Sequence, residues 1–189
     1  VSVAYGLVGI SATGASYLGV TRGSAAQFDK TVTAALTQHA STYDRLIAIA
    51  SDFGSVYAIG GAAGMLYTTG RKTLARDVLV SGLAAWGLAQ SVKPLVKRTR
   101  PYTDNTAQRL VAVPQGTSWP SGHTAVATAI AATVATRTGM VGNVLCGAYA
   151  LGVGVSRIRV GVHYASDIIA GAGVGLVAAA LTRSAATRR

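Results

Sequence analysis

The chain has 189 residues and a mass of 19.1 kDa, enough for one domain. Half of the residues are apolar and only 12% are charged, against roughly 25% charged in soluble domains, which excludes disorder and argues against a surface built for water. The charge is lopsided, with 17 Lys and Arg against six Asp, no Glu and a formal +11, and the single cysteine, Cys146, excludes a disulfide scaffold.

Six apolar segments follow in order, and they predict an all-α bundle embedded in a membrane. Residues 1–20 form the weakest. They lack a charged leading region and a processing site, so they read as a membrane segment of doubtful insertion and not as an intact signal peptide. The second runs from about Leu46 to Thr69 and holds one acid, Asp52, which lipid tolerates only at a segment end or against a partner. The others span Val78 to Val92, His123 to Thr136, Val141 to Val155 and Ile168 to Leu181. Several are shorter than the roughly 20 residues of a full span. Six of them with so little charge nevertheless favour the bilayer over a soluble helical core. The pairs Gly60/Gly64 and Gly171/Gly175 have the small-xxx-small spacing of close helix contacts in lipid.

All four prolines, Pro94, Pro101, Pro114 and Pro120, fall in the one long irregular connection, about Lys93 to Ser121. It is polar, basic and of the length that tends to carry function. No repeat or linker divides the chain, and residues 1–189 read as one domain. A basic chain suggests nucleic acid, an anionic membrane or an anionic substrate. Nucleic acid is disfavoured, because the cations lie in short clusters between apolar runs and form no basic face. The basic tail from Arg183 suits anionic headgroups.

Three clusters carry chemistry. Residues 93–101 place Lys93, Lys97, Arg98 and Arg100 within eight positions, ordinarily a solvated loop. Residues 120–123, Pro-Ser-Gly-His, open the fourth segment. Ser121 is a helix cap, Gly122 leaves the backbone open to a ligand, and free amides at a helix start attract an anion beside His123. Residues 156–167 hold Ser156, Arg157, His163 and Asp167. At i and i+4 on one helix, a carboxylate orients an imidazole and leaves its other nitrogen free to attack. Arg157 offers a fork that matches phosphate oxygens. Each cluster read alone also fits a capped helix, a structural His–Asp pair or a headgroup-facing loop.

Together they read Lys-x6-Arg-Pro, Pro-Ser-Gly-His and Ser-Arg-x5-His-x3-Asp. In order and spacing this resembles the signature of the type 2 phosphatidic acid phosphatase superfamily, and the six segments resemble its integral-membrane branch. The resemblance implies that His163 is the nucleophile and forms a phosphohistidine. Asp167 orients it, and His123 protonates the leaving oxygen and then activates water. Lys93, Arg100 and Arg157 bind the phosphoryl oxygens, with Ser121, Gly122 and Ser156 as further donors. No Cys/His or carboxylate cluster offers a metal site, so the expected chemistry uses no metal or other cofactor.

The expected substrate is a lipid phosphate: phosphatidic acid, phosphatidylglycerol phosphate or a polyprenyl phosphate or diphosphate, with the tail left among membrane lipids. An up-down bundle puts all three motifs on one face. The motif side carries ten cations and the other side seven; without Lys93, Arg100 and Arg157 they tie, so charge does not orient the chain. The resemblance implies an extracytoplasmic site in a bacterial inner membrane. Two alternatives remain: a vanadium-dependent haloperoxidase, which shares the anion pocket, and a membrane protein that binds lipid phosphate without turnover. His39 reads as a surface or interfacial residue, Trp119 as a pocket wall or an interface anchor, Tyr102 and Tyr164 as packing or substrate-contact positions, and Asp104 as solvated or set against the basic loop.

Overall fold

The computed structural model describes residues 2–37 and 41–186. His39 lies outside them. Among the described residues eight helices follow in order: α1 (Ser2–Thr21), α2 (Ala26–Thr37), α3 (Asp44–Ser51), α4 (Val56–Thr68), α5 (Lys72–Val92), α6 (Gly122–Ala135), α7 (Met140–Arg159) and α8 (Ala165–Ala186). Short 3-10 turns at Asp52–Gly54 and Lys93–Leu95 follow α3 and α5. There is no strand among the described residues.

The expected all-α bundle is present, with two departures. The second apolar segment is not one helix. After Asp52–Gly54 the chain extends at Ser55 (φ −73°, ψ 168°), and the two halves meet at 72°. Asp52 therefore marks a segment end, as the cost of a carboxylate in lipid requires. The second departure is α2, which apolar runs did not reveal because its core-facing side holds polar Asp29 and Thr33.

Helix α6 is the centre. Every residue from Thr124 to Thr133 is buried, and the helix packs against α4, α5, α7 and α8. At 14 residues it is roughly 21 Å long, short for a bilayer. Its neighbours sheathe it, so it need not meet lipid. Its Ala and Thr side chains let them approach, and Thr133 Oγ1 donates to Ser81 Oγ of α5 at 2.9 Å. Helix α8 packs on α6 through Gly171 and Gly175, where a Cβ would run into the carbonyls of Ser121 and Ala125. Its opposite side meets α1 through Gly173 and Gly9. Gly60 and Gly64 instead face open space, so only one of the two glycine pairs makes a helix contact.

Helices α1, α7 and α8 are long and apolar enough to cross a membrane, and the bent α3–α4 pair passes the same test as one unit. The doubted first segment is thus a continuous 20-residue helix. Large apolar side chains stand exposed along α1 (Val3, Leu7, Ile10) and α7 (Val141, Val144, Leu145, Leu151). Continuous apolar surface of this kind needs lipid, not water. The chain is an integral membrane protein. The end of α5, the start of α6, the end of α7 and the start of α8 meet at one end of the bundle. The α3–α4 break joins them there: a Cβ on Gly54 would strike the His123 carbonyl.

Candidate active site

A cavity of about 1060 Å³ opens at that end. Its polar part is lined by Lys93, Arg100, Gly122, His123, Arg157 and His163, so all three motifs reach it. It continues as an apolar limb between α4 (Tyr57, Ala58, Gly61, Ala62, Met65) and α5 (Trp86).

Backbone oxygens hold Lys93 and Arg100, and a side-chain hydroxyl holds Arg157. Lys93 Nζ donates to the Thr117 carbonyl at 2.7 Å and to that of Pro120 at 3.3 Å. An ammonium has three N–H groups, so one is left for a ligand. Burial, with the Arg100 charge beside it, pulls Lys93 down to about 8, against a smaller upward pull from Asp167. Arg100 donates to the carbonyls of Gln115, Gly116, Thr117 and Val162. Its fifth N–H, on Nη1, lies 3.4 Å from His163 Nε2. Arg157 Nη1 donates to Ser51 Oγ at 2.8 Å, and its buried Nε has no protein partner.

His163 sits in the short connection between α7 and α8, reached through a turn in which Gly161 takes φ +74°. A side chain there would also collide with the Gln108 carbonyl. A guanidinium only donates, so Arg100 requires Nε2 of His163 to accept. The proton is thereby assigned to Nδ1, which faces Asp167 Oδ2 at 3.5 Å. That spacing exceeds a good hydrogen bond, and Nδ1 is buried without another partner. Burial pushes the imidazole down to about 3, while Asp167 works in the opposite direction. His163 is therefore neutral at ordinary pH, its Nε2 lone pair held at the cavity wall by the Arg100 N–H.

Asp167 is fully buried at the start of α8. Its Oδ2 accepts from Ser118 Oγ at 2.6 Å and the Tyr164 amide at 2.8 Å, and its Oδ1 accepts from Arg98 at 2.7 Å. His123 stands on the first turn of α6, with Asp52 Oδ1 3.9 Å from its Nε2.

A family model described as the PAP2 superfamily matches residues 74–189, more than half of the chain and all three motifs. The chain belongs to the PAP2 superfamily. Decaprenylphosphoryl-5-phosphoribose phosphatases from two strains of Mycobacterium tuberculosis are 36% identical to it over 113 residues. The match covers 58% of this chain and 61% of each relative, so the chain spans about three-fifths of their length. Two solved structures share the fold. A transmembrane PAP2 type phosphatidylglycerolphosphate phosphatase from Bacillus subtilis superposes with a TM-score of 0.73 at 20% identity, covering 99% of this chain and 96% of that one. LpxE of Aquifex aeolicus gives 0.71 at 21% identity, covering 83% and 95%.

Not every anticipated PAP2 position faces the cavity. The Ser121 hydroxyl is the α6 cap, accepting from the Thr124 amide and hydroxyl at 3.4 and 3.0 Å. Its contribution is to set the helix start beside Gly122. Ser156 bonds back to the Val153 carbonyl at 2.7 Å and lines a separate apolar pocket with Leu36 and Ile47. Trp119 is buried away from the cavity, its indole N–H donating to Ser16 Oγ at 3.0 Å. Tyr164 donates to Asp104 at 2.8 Å, and Arg109 lies over the Tyr102 ring.

Sequence reasoning missed four participants: Ser51 under Arg157, Ser118 on Asp167, and the pair Arg98 and Asp29. Arg98 was visible as a cation but sits inside the motif at a position without an assigned role. The others carry no local signal.

Proposed function

We propose that this PAP2 chain is a phosphatase that removes a terminal phosphate from a membrane lipid. The observation that carries this reading is one cavity with two imidazoles and three cations at its polar end and an apolar limb leading away between α4 and α5. The polar end suits a tetrahedral oxyanion, whose charge fixed cations and amides stabilise in transfer. The limb suits a hydrocarbon tail. The unpaired Nε of Arg157 and the spare N–H of Lys93 are donors that phosphoryl oxygens would satisfy.

The chemistry needs only side chains already described. His163 Nε2 gives up its contact with the Arg100 N–H and donates its lone pair to phosphorus, the bond to the leaving oxygen breaks, and the freed N–H turns to a phosphoryl oxygen. Burial, with Arg157 and the other nearby cations, holds His123 down to about 3. A bound phosphate monoanion offsets those cations and hands His123 its proton, which His123 then gives to that oxygen. Asp167 steadies the positive charge that develops on His163. Neutral His123 then takes a proton from water, the resulting hydroxide attacks phosphorus, and the N–P bond breaks to release phosphate. No step calls on a metal. Phosphate monoesters on long isoprenoid or diacyl tails fit best, because a 36% identical relative and a solved neighbour of the same fold are named for such substrates. We also place the site on the extracytoplasmic face of a bacterial inner membrane, following the family resemblance.

The test is phosphate release in detergent, with chelator present, from phosphatidic acid, phosphatidylglycerol phosphate, polyprenyl phosphates and diphosphates, and a polyprenylphosphoryl sugar phosphate. Release is expected from at least one, and His163→Ala should lose at least about a thousandfold in kcat. An active His163→Ala enzyme removes His163 from the reaction. Binding without product over long incubation supports a non-catalytic lipid-phosphate receptor.

A further inference from the structure

Between the nucleophile pair and helix α2 lies a buried network outside the three motifs' assigned roles. Asp167 is one end of it. Arg98 reaches Asp167 Oδ1 through Nη1 at 2.7 Å and Asp29 Oδ2 through Nη2 at 2.5 Å. Two carboxylates from different helices thus bracket one guanidinium. Ser166 closes the ring: its hydroxyl accepts from Arg98 Nη1 at 2.7 Å and donates to Asp29 Oδ2 at 2.7 Å. Its amide donates to Asp29 Oδ1 at 2.9 Å. The guanidinium also stacks over the Tyr164 ring at 4.2 Å. Asp29 and Asp167 are both buried.

We propose that Arg98 and Asp29 are positioning residues for the reaction, Arg98 fixing the rotamer of Asp167 and Asp29 preserving its negative charge toward His163. This rests on the phosphatase reading of the site. The geometry explains why two residues are needed. Arg98 anchors Oδ1, and Ser118 and the Tyr164 amide hold Oδ2, so Oδ2 is aimed at His163 Nδ1. An arginine alone, however, would cancel the charge that must stabilise an imidazolium. With Asp29 on its other edge, the group of three carries a net single negative charge. Every neighbour of Asp29 in this network is a donor, as an ionised acid requires. The network moves no proton and touches no substrate. It holds the carboxylate in place and charged while His163 becomes cationic.

Asp29→Asn keeps the shape and removes the charge. With phosphatidic acid in detergent micelles, or whichever panel lipid the wild type hydrolyses, kcat is expected to fall about tenfold to a hundredfold. KM should stay within about twofold, because Lys93, Arg100 and Arg157 are untouched. Asp29→Asn/Arg98→Gln removes both opposing charges and leaves Asp167 negative, so its kcat should exceed that of Asp29→Asn alone. A purely structural pair would give the reverse order. Wild-type kcat in Asp29→Asn, a rise in KM as large as the fall in kcat, or a double variant no faster than Asp29→Asn would overturn the proposal.

If Asp29→Asn does not fold, Arg98→Lys supplies the same reading. A point charge cannot span both carboxylates, so kcat should fall with KM held, and an unchanged kcat overturns the role of Arg98. The phosphatase reading is checked separately, by activity of the wild type and its loss in His163→Ala.

Discussion

Lys93 supplies the sharpest test of the phosphate site, because its chemistry is set by its place. Its Nζ is buried against two carbonyls and beside the Arg100 guanidinium, and no carboxylate touches it. Burial and repulsion bring its pKa to about 8. A lysine is charged below its pKa, so the charge proposed to hold phosphate is present at neutral pH and is lost as pH rises through about 8. At pH 7 roughly 90% of the free enzyme carries the charge, and at pH 9 roughly 10%. The value of kcat/KM, which reports the free enzyme, should therefore fall about tenfold between pH 7 and pH 9, and tenfold for each unit beyond. Bound phosphate places negative charge beside Nζ and raises its pKa, so the alkaline limb of kcat should lie at higher pH than that of kcat/KM. Lys93→Arg keeps the cation charged throughout and should push the limb upward, even if its different shape lowers the plateau. The assay is phosphate release from a micellar lipid phosphate across pH 5 to 10. A flat wild-type profile to pH 10, or a limb that stays in place in Lys93→Arg, would refute the assignment.

Two further outcomes follow from packing. Gly171→Ala drives a Cβ into the Ser121 carbonyl, an overpacking that costs about 1–3 kcal/mol; it should lower the thermal midpoint in detergent and reduce activity by shifting His123 away from His163. Gly60→Ala, whose Cβ enters open space, should instead raise stability by about 0.5–1 kcal/mol. Gly61→Phe projects a ring into the apolar limb, so turnover of a long-chain lipid phosphate should fall more than that of a short, water-soluble phosphate ester; equal losses would place the tail elsewhere.

Much of this was legible in the sequence, for physical reasons. Apolar runs mark helices that avoid water, whether against lipid or, like α6, inside the bundle, and all six segments hold helices where they were expected. The motifs were legible because phosphate chemistry needs particular side chains at helix ends, where spacing is fixed by local geometry. The His163 and Asp167 pair is an example, four residues apart across the start of α8. What escaped were pairings with no local trace. Arg98 meets Asp29 and Asp167 across 69 positions of chain each, and nothing in its neighbourhood distinguishes it from Lys97. Ser51 meets Arg157 across 106. The turn at Ser55 was hidden because Phe53 and Val56 continue the apolar run through it. Ser156 was credited with a donor role from its position beside Arg157, but a helix rotates consecutive residues by about 100°, which carries it to a different side.

The carbonyl partners of Arg100 have a consequence for how this pocket can change. That one side chain ties down Gln115, Gly116, Thr117 and Val162 while offering its remaining hydrogen to His163 Nε2. The hold on the His163 nitrogen and the integrity of the surrounding wall are thus vested in a single guanidinium. A descendant protein that abandoned phosphate could not discard this charge alone; it would have to rebuild the wall as well, which favours retention of the arginine even where the reaction has been lost.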